Sequence, residues 1–193
     1  MTVVRAQEHL DSWLVRNAHV LKRLLTVMFG VFWGIDGALK FQPGLVSLFP
    51  GMVTDAGRGQ PAWLAPWFSF WAGQAQSNAA LLVYTTGTLE LALAFALIFG
   101  FMRKVAYGSG FLLSLFIWAV PEGFGGPYGP GATDIGTGIV YALFFLALML
   151  INATYGPSRY TLDHRLEQRW PGWARVAEIR PRAIPPPEAP HVG

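Results

Sequence analysis

Hydrophobic and polar positions alternate along this chain in long blocks. Four apolar runs stand out, residues 24–41, 79–101, 105–121 and 134–152. Each is close to the roughly 20 residues that an α-helix needs to cross about 30 Å of hydrocarbon. Before the first run, Leu10, Trp13, Leu14, Val20 and Leu21 fall on one side of a helical projection, with Arg5, Glu8, Asp11, Arg16 and Lys22 mostly elsewhere. Residues 1–23 therefore read as an amphipathic helix on a membrane surface, or as an extension that packs on a partner subunit. Charges interrupt this segment, so it does not have the form of a signal peptide. Residues 42–78 hold Pro43, Pro50, Pro61 and Pro66 and end in an aromatic stretch with Trp63, Trp67, Phe68, Phe70 and Trp71. This pattern predicts a connection at the headgroup level, where indole rings are favoured. Residues 156–193 form a basic, Pro-rich tail, with a short helix expected near Ser158–Trp170 and an extended chain from Pro181.

The pattern predicts an all-α integral membrane protein, a four-transmembrane-helix bundle occupying residues 24–155. Composition agrees: 53% of the residues are hydrophobic and 13% charged, about half the charged share of a soluble domain. Lysine and arginine gather in the N-terminal segment, in the Arg103–Lys104 turn and in the tail. The 42–78 connection has Arg58 as its one base, and the Gly/Pro loop after residue 121 has none. The positive-inside rule then places both termini in the cytoplasm and the aromatic first loop outside, in a multi-pass protein of the cell (inner) membrane. The chain contains no cysteine, which excludes thiol nucleophiles, disulfide relays and iron–sulfur ligation. Its four histidines, His9, His19, His164 and His191, all lie outside the apolar runs, which argues against haem held by histidine within the bilayer.

The polar residues inside this frame are the candidates for chemistry. Asp36 and Lys40 share a helix face near the outer end of the first run. Glu90 lies deep in the second run, where a carboxylate is costly and is expected to face the other helices, paired or neutral. A hydrogen bond to a threonine or to Tyr141 would serve as a structural partner. Glu122 and Asp134 bracket the loop EGFGGPYGPGATD, with Thr133 or Asp134 as the expected N-cap of the last span. Gly30 and Gly34 have the spacing of a close helix contact. Asp36, Lys40 and Glu90 are candidate catalytic residues, and Glu122 and Asp134 a candidate acidic rim. Trp63, Trp67, Trp71, Phe124 and Tyr128 are candidates to wall a quinone pocket. No residue spacing calls for a metal. Each group also has a structural reading: ion pair, buried hydrogen bond, turn and cap, or aromatic belt.

The tract Trp33-Gly-Ile-Asp-Gly-Ala-Leu-Lys40-Phe41, the acidic second span with Glu90, and the tract Glu122-Gly-Phe-Gly-Gly-Pro-Tyr128 with Thr133-Asp134-Ile-Gly136 resemble the DoxX-like membrane proteins. The likeness is to their DoxD branch, which includes the membrane subunit of thiosulfate:quinone oxidoreductase. It covers roughly residues 20–155. The amphipathic and basic tails, the Gly-rich helices and the missing cofactor ligands point to a membrane subunit of a respiratory or redox complex, with an anchoring or assembly role and an outward-facing quinone or anion site. The likeness implies an alternative, a quinone-linked oxidoreductase subunit that oxidises thiosulfate or a similar small reduced compound. The partners expected are the lipid bilayer and other membrane subunits, with no nucleic acid. A quinone is the expected cofactor, bound without a covalent link.

Overall fold

The computed structural model of the chain describes residues 2–128, 132, 134–155 and 159–179. Among the described residues seven α-helices follow one another: α1 (Thr2–Leu39), α2 (Leu45–Ala56), α3 (Ala65–Phe99), α4 (Arg103–Ala119), α5 (Thr137–Tyr155), α6 (Leu162–Arg169) and α7 (Ala174–Ala177). Three stretches are long and apolar enough to cross a membrane, Arg16–Leu39, Ala62–Phe99 and Thr137–Thr154. Helix α4 has 17 residues, roughly 26 Å at 1.5 Å per residue, less than the ~30 Å hydrocarbon core.

Three of the expected boundaries move. No break separates a surface helix at residues 1–23 from a first span at 24. Helix α1 is continuous over 38 residues, because nothing between Thr2 and Leu39 interrupts helical backbone. Nor is the 42–78 segment an aromatic loop, since α2 and the first half of α3 occupy most of it. Its prolines suit helices: Pro66 falls in the first turn of α3, where a missing N–H costs nothing, and Pro50 is accommodated within α2. The expected start of the second span at Ala79 does coincide with a structural event. Helix α3 kinks at Asn78, whose φ of −134° and ψ of 28° leave the helical range. The last span begins at Thr137, three residues later than Asp134. Thr133, part of the Gly/Pro loop and the tail beyond residue 179 lie outside the described residues.

Packing follows from small residues. Along α3 from its C-terminal end, the neighbours in order are Gly30 against Leu97, Gly34 against Ala94, Gly37 against Glu90, and Lys40 against Gly87. Val53 clusters with Ala75, and Gly57 meets Phe68. Helices α1 and α2 therefore run antiparallel to α3 one after the other, with a break at residues 40–44 between them. The Gly30–Gly34 spacing works as expected, and Gly37 and Gly87 extend it. Helix α5 packs antiparallel on α4, with no room for a Cβ on Gly110 beneath the Phe145 ring. Between the two pairs lies a core of Phe29, Trp33, Leu97, Tyr107, Phe145 and Leu148.

At one end of the bundle the C-terminal segment folds back. Gly100 ends α3 with φ +64°, and a Cβ there would lie 2.5 Å from Thr161, so glycine is required both by the turn and by the contact. Arg103, only 3% exposed, pairs with Asp163 at 2.9 Å, with Glu167 at 3.4 Å and with Glu178. The Asp163 carboxylate also accepts hydrogen bonds from the backbone N–H groups of Met102 and Arg103 and from the indole of Trp173, at 2.8, 3.0 and 2.8 Å. The tail expected to be polar and separate is thus seated, over residues 159–179, on the α3–α4 turn.

Asp163→Ala leaves the Arg103 guanidinium with less compensation in a buried site and removes four hydrogen bonds. It should cost on the order of 3–5 kcal/mol. Limited proteolysis should then cut the C-terminal segment first, and unchanged cleavage and unfolding temperature would contradict this role. The segment should also respond to pH. Burial pushes the Glu178 carboxyl from 4.5 up to about 7; Arg103 pulls it back, Glu167 adds to the rise, and Lys22 opposes it. The folded state therefore holds this proton more tightly than the unfolded chain, so the stabilisation is complete below the unfolded value of 4.5 and is lost as pH rises through about 7. Hydrogen-exchange protection of residues 159–179, corrected for intrinsic rates, should fall as pH rises from 4.5 to about 7 and level off above that. Glu178→Gln should flatten that response.

Candidate functional site

The other end of the α1–α3 seam carries the polar centre. Helix α1 stops at Leu39, and Lys40 begins the break before α2. Its Nζ lies 3.4 Å from Glu90 Oε2 and 3.5 Å from the backbone carbonyl of Asp36. The ion pair is thus with Glu90 on the facing helix, while Asp36 contributes its carbonyl. Glycine makes this possible on both sides: a Cβ on Gly87 would lie 2.7 Å from the Cβ of Lys40, and one on Gly37 3.0 Å from that of Glu90. The Glu90 side chain is 1% exposed and that of Lys40 30%. The 3.4 Å contact is electrostatic, and no donor among the described residues is aligned on Glu90 Oε2 for a hydrogen bond.

Two adjoining cavities open here, each of about 240 Å³. The polar one is lined by Trp33, Asp36, Lys40, Glu90, Glu122 and Tyr141, among others. The apolar one is lined by Leu45, Phe49, Met52, Val83, Phe116 and Pro121. They meet at Lys40, Ile117 and Glu122, which line both. Together they fall in the range of small-ligand sites, roughly 300–1,000 Å³. Trp33 is fully buried, and its indole N–H finds no acceptor among the described residues. The ring of Tyr141 packs at 5.6 Å from Trp33 and 5.2 Å from Phe29.

The Gly/Pro loop closes the chamber. Glu122, just past the end of α4, accepts the backbone N–H of Gly138 at 2.8 Å and so caps α5 from a different helix. Burial raises its carboxyl above the usual range, the hydrogen bond from Gly138 opposes this, and the Asp134 carboxylate adds to the rise. Asp134, the expected N-cap, is exposed and instead accepts the N–H of Gly136 at 2.8 Å, a local turn that precedes the helix. Trp118 donates to Ile135 O at 2.8 Å, and Gln60 to Gly123 O at 2.7 Å, which pins the loop to α4 and to the α2–α3 link.

The five aromatics considered for a quinone wall do not form one surface. Trp67, Trp71 and Phe124 pack near one another, with Trp67–Trp71 at 5.8 Å and Trp67–Phe124 at 6.1 Å, and Trp67 donates to Ala119 O. They tie the kinked half of α3 to the end of α4, and Trp71 borders the apolar cavity through Phe116 at 5.1 Å. Trp63 is 77% exposed, and Tyr128 is exposed with its hydroxyl donating to Phe124 O. Asp36, Lys40, Glu90 and Glu122 do come together. The contributions of Trp33, Gly37, Gly87, Phe49 and Met52 to the site went unread. One turn before Asp36, Trp33 carried a weak signal, and the glycines carried one only once the register with α3 was known. Among the described residues no group of three His, Asp or Glu side chains is placed to hold a metal ion.

Fold and composition together define an all-helical membrane protein with a polar chamber buried in its bundle. No protein-family model, no curated protein and no solved structure matches this chain.

Removing one charge of the buried pair tests its geometry. Lys40→Met leaves Glu90 without its counter-charge and should cost up to about 3 kcal/mol, discounted because Lys40 is partly exposed. The double variant Lys40→Met/Glu90→Gln should recover most of that loss in thermal unfolding. Equal unfolding of the single and double variants would show that the two side chains are not coupled.

Proposed function

We propose that this chain is the quinone-binding membrane subunit of a redox assembly, with four crossings, both termini in the cytoplasm and the Lys40 site in the outward half. The orientation rests on the basic residues at the Arg103 end and their scarcity at the Lys40 end. Helix α4 is taken as the third crossing because it runs antiparallel along α5 for its whole length. The likeness of the Trp33–Phe41 and Glu122–Gly136 tracts to the DoxX-like family, DoxD branch, supports a quinone as ligand.

The observation that carries the reading is the pair of joined chambers, one polar and one apolar, with Lys40 at their junction. A ring with carbonyl oxygens and an apolar substituent matches that division. A quinone supplies two-electron redox chemistry when bound. Lys40 offers a charged donor to a carbonyl oxygen, and Tyr141 borders the same space. Glu90 holds or releases a proton beside them. Met52 lines the apolar chamber and is also 47% exposed, which supports entry from the lipid along α2.

The charge set weighs against the thiosulfate-oxidising alternative at this chamber. An anion there would face Asp36, Glu90 and Glu122 with a single lysine, and that lysine is already paired. A neutral head group fits better. The assembly role draws on the sparse chemistry of the chain: it has no cysteine, and its four histidines lie outside the apolar runs, so electrons would reach the quinone from a partner subunit or by direct reaction of a reductant with the bound quinone.

Decylubiquinone should bind the purified protein saturably in lipid nanodiscs. Lys40→Met should weaken binding about tenfold or more, the loss expected for a hydrogen bond to a charged group. Absence of saturable binding by the wild-type protein would refute the proposal.

A further inference from the structure

The C-terminal segment sorts its charges by direction. Residues 159–179 contain three carboxylates, Asp163, Glu167 and Glu178, and all three pair with the buried Arg103. The same stretch contains four arginines, Arg159, Arg165, Arg169 and Arg175, and all four are exposed. The division follows from helix geometry. In α6, Asp163 and Glu167 are four residues apart and share the face toward the bundle. Arg165 and Arg169, also four apart, share another. The acids are consumed inside the fold, so the surface left to solvent is cationic.

Its placement is fixed at the end of the spans. The N–H of Asp163 bonds to Gly100 O at 3.1 Å, the residue after α3 ends, and Trp173 packs on Phe101 at 5.5 Å. The segment is therefore held against the residues that close the Ala62–Phe99 span, and charges beside a span end act on headgroups over the ~8–10 Å reach of electrostatics at physiological salt. Trp170, next to Arg169, is 57% exposed. An indole held out among arginines at this depth suits the headgroup layer, where its apolar body and N–H are both accommodated. Lys104, which ties α4 to this segment by donating to Arg175 O, is exposed on the same end.

We infer that the docked C-terminal segment is a binding surface for anionic phospholipid headgroups. Arg159, Arg165, Arg169 and Arg175 supply the charge, and Trp170 supplies the interfacial anchor. The surface does not depend on the quinone reading, since it lies at the opposite end of the bundle from Lys40. An acidic protein partner would satisfy the same charge but gives no reason for an exposed tryptophan at this depth.

The test uses the full chain in nanodiscs of phosphatidylcholine doped with phosphatidylglycerol, and measures enrichment of each lipid around the protein. Wild-type protein should concentrate phosphatidylglycerol, and Arg165→Gln/Arg169→Gln/Arg175→Gln should reduce that preference by about fivefold per arginine removed. Hydrogen exchange over 159–179 should stay protected in that variant, because the Arg103 contacts are untouched. On the wild-type protein, raising NaCl should erase the preference. Equal enrichment of the two lipids by wild type would overturn the inference. So would a preference unaffected by salt, or one retained in the triple variant. An acidic protein captured in place of lipid would overturn it as well.

Discussion

A carboxylate in an apolar bundle is the constraint on which the rest of this structure turns. Glu90 is almost wholly removed from solvent, on a mostly apolar helix whose nearest polar residues are Thr85, Thr86 and Thr88. Such a group is tolerated when a counter-charge reaches it. Lys40 reaches it because α1 ends at Leu39 and because Gly37 and Gly87 let the two helices approach. The break that frees Lys40 also turns the chain into α2, and α2 walls the apolar cavity. One ion pair thus links the helix seam, the break in the first span and the shape of the chamber.

The two ends of the bundle treat buried charge differently. At one, Arg103 is matched by three carboxylates, and Asp163 accepts four donors. That network holds the C-terminal segment in place, although one guanidinium nitrogen of Arg103, Nη1, finds no acceptor among the described residues. At the other, Glu90 has one base at 3.4 Å, and the Trp33 N–H lacks an acceptor among the described residues. An under-satisfied polar group beside a cavity is costly unless something with complementary atoms is bound there. What separates the two ends is the polar cavity lined by Lys40, Glu90 and Trp33, which supports reading that end as a ligand site.

Much of the frame could be read from the chain because it depends on local signals. The apolar runs mark the helices, and even the kink at Asn78 falls where the apolar pattern begins. The prolines of residues 42–78 do not mark a loop, since Pro66 occupies a first-turn position that helices accept and Pro50 is tolerated inside α2. The site was half legible. Asp36, Lys40, Glu90 and Glu122 stood out as charges in apolar surroundings. The partner of Lys40 did not, because the i, i+4 spacing favours Asp36 and only the packing register of α1 on α3 brings Glu90 within reach. The capping of α5 by Glu122 and the pairing of Arg103 with the tail are contacts between distant segments, which no local pattern encodes.

The most direct test of the Lys40 chamber as a quinone site is the infrared carbonyl stretch of carbonyl-¹³C-labelled decylubiquinone bound to the protein. A donor from Lys40 polarises the C=O bond. The account predicts a stretch shifted to lower frequency in the wild-type protein and restored toward the free value in Lys40→Met. A bound quinone with an unshifted carbonyl, or a shift that survives loss of Lys40, would contradict it.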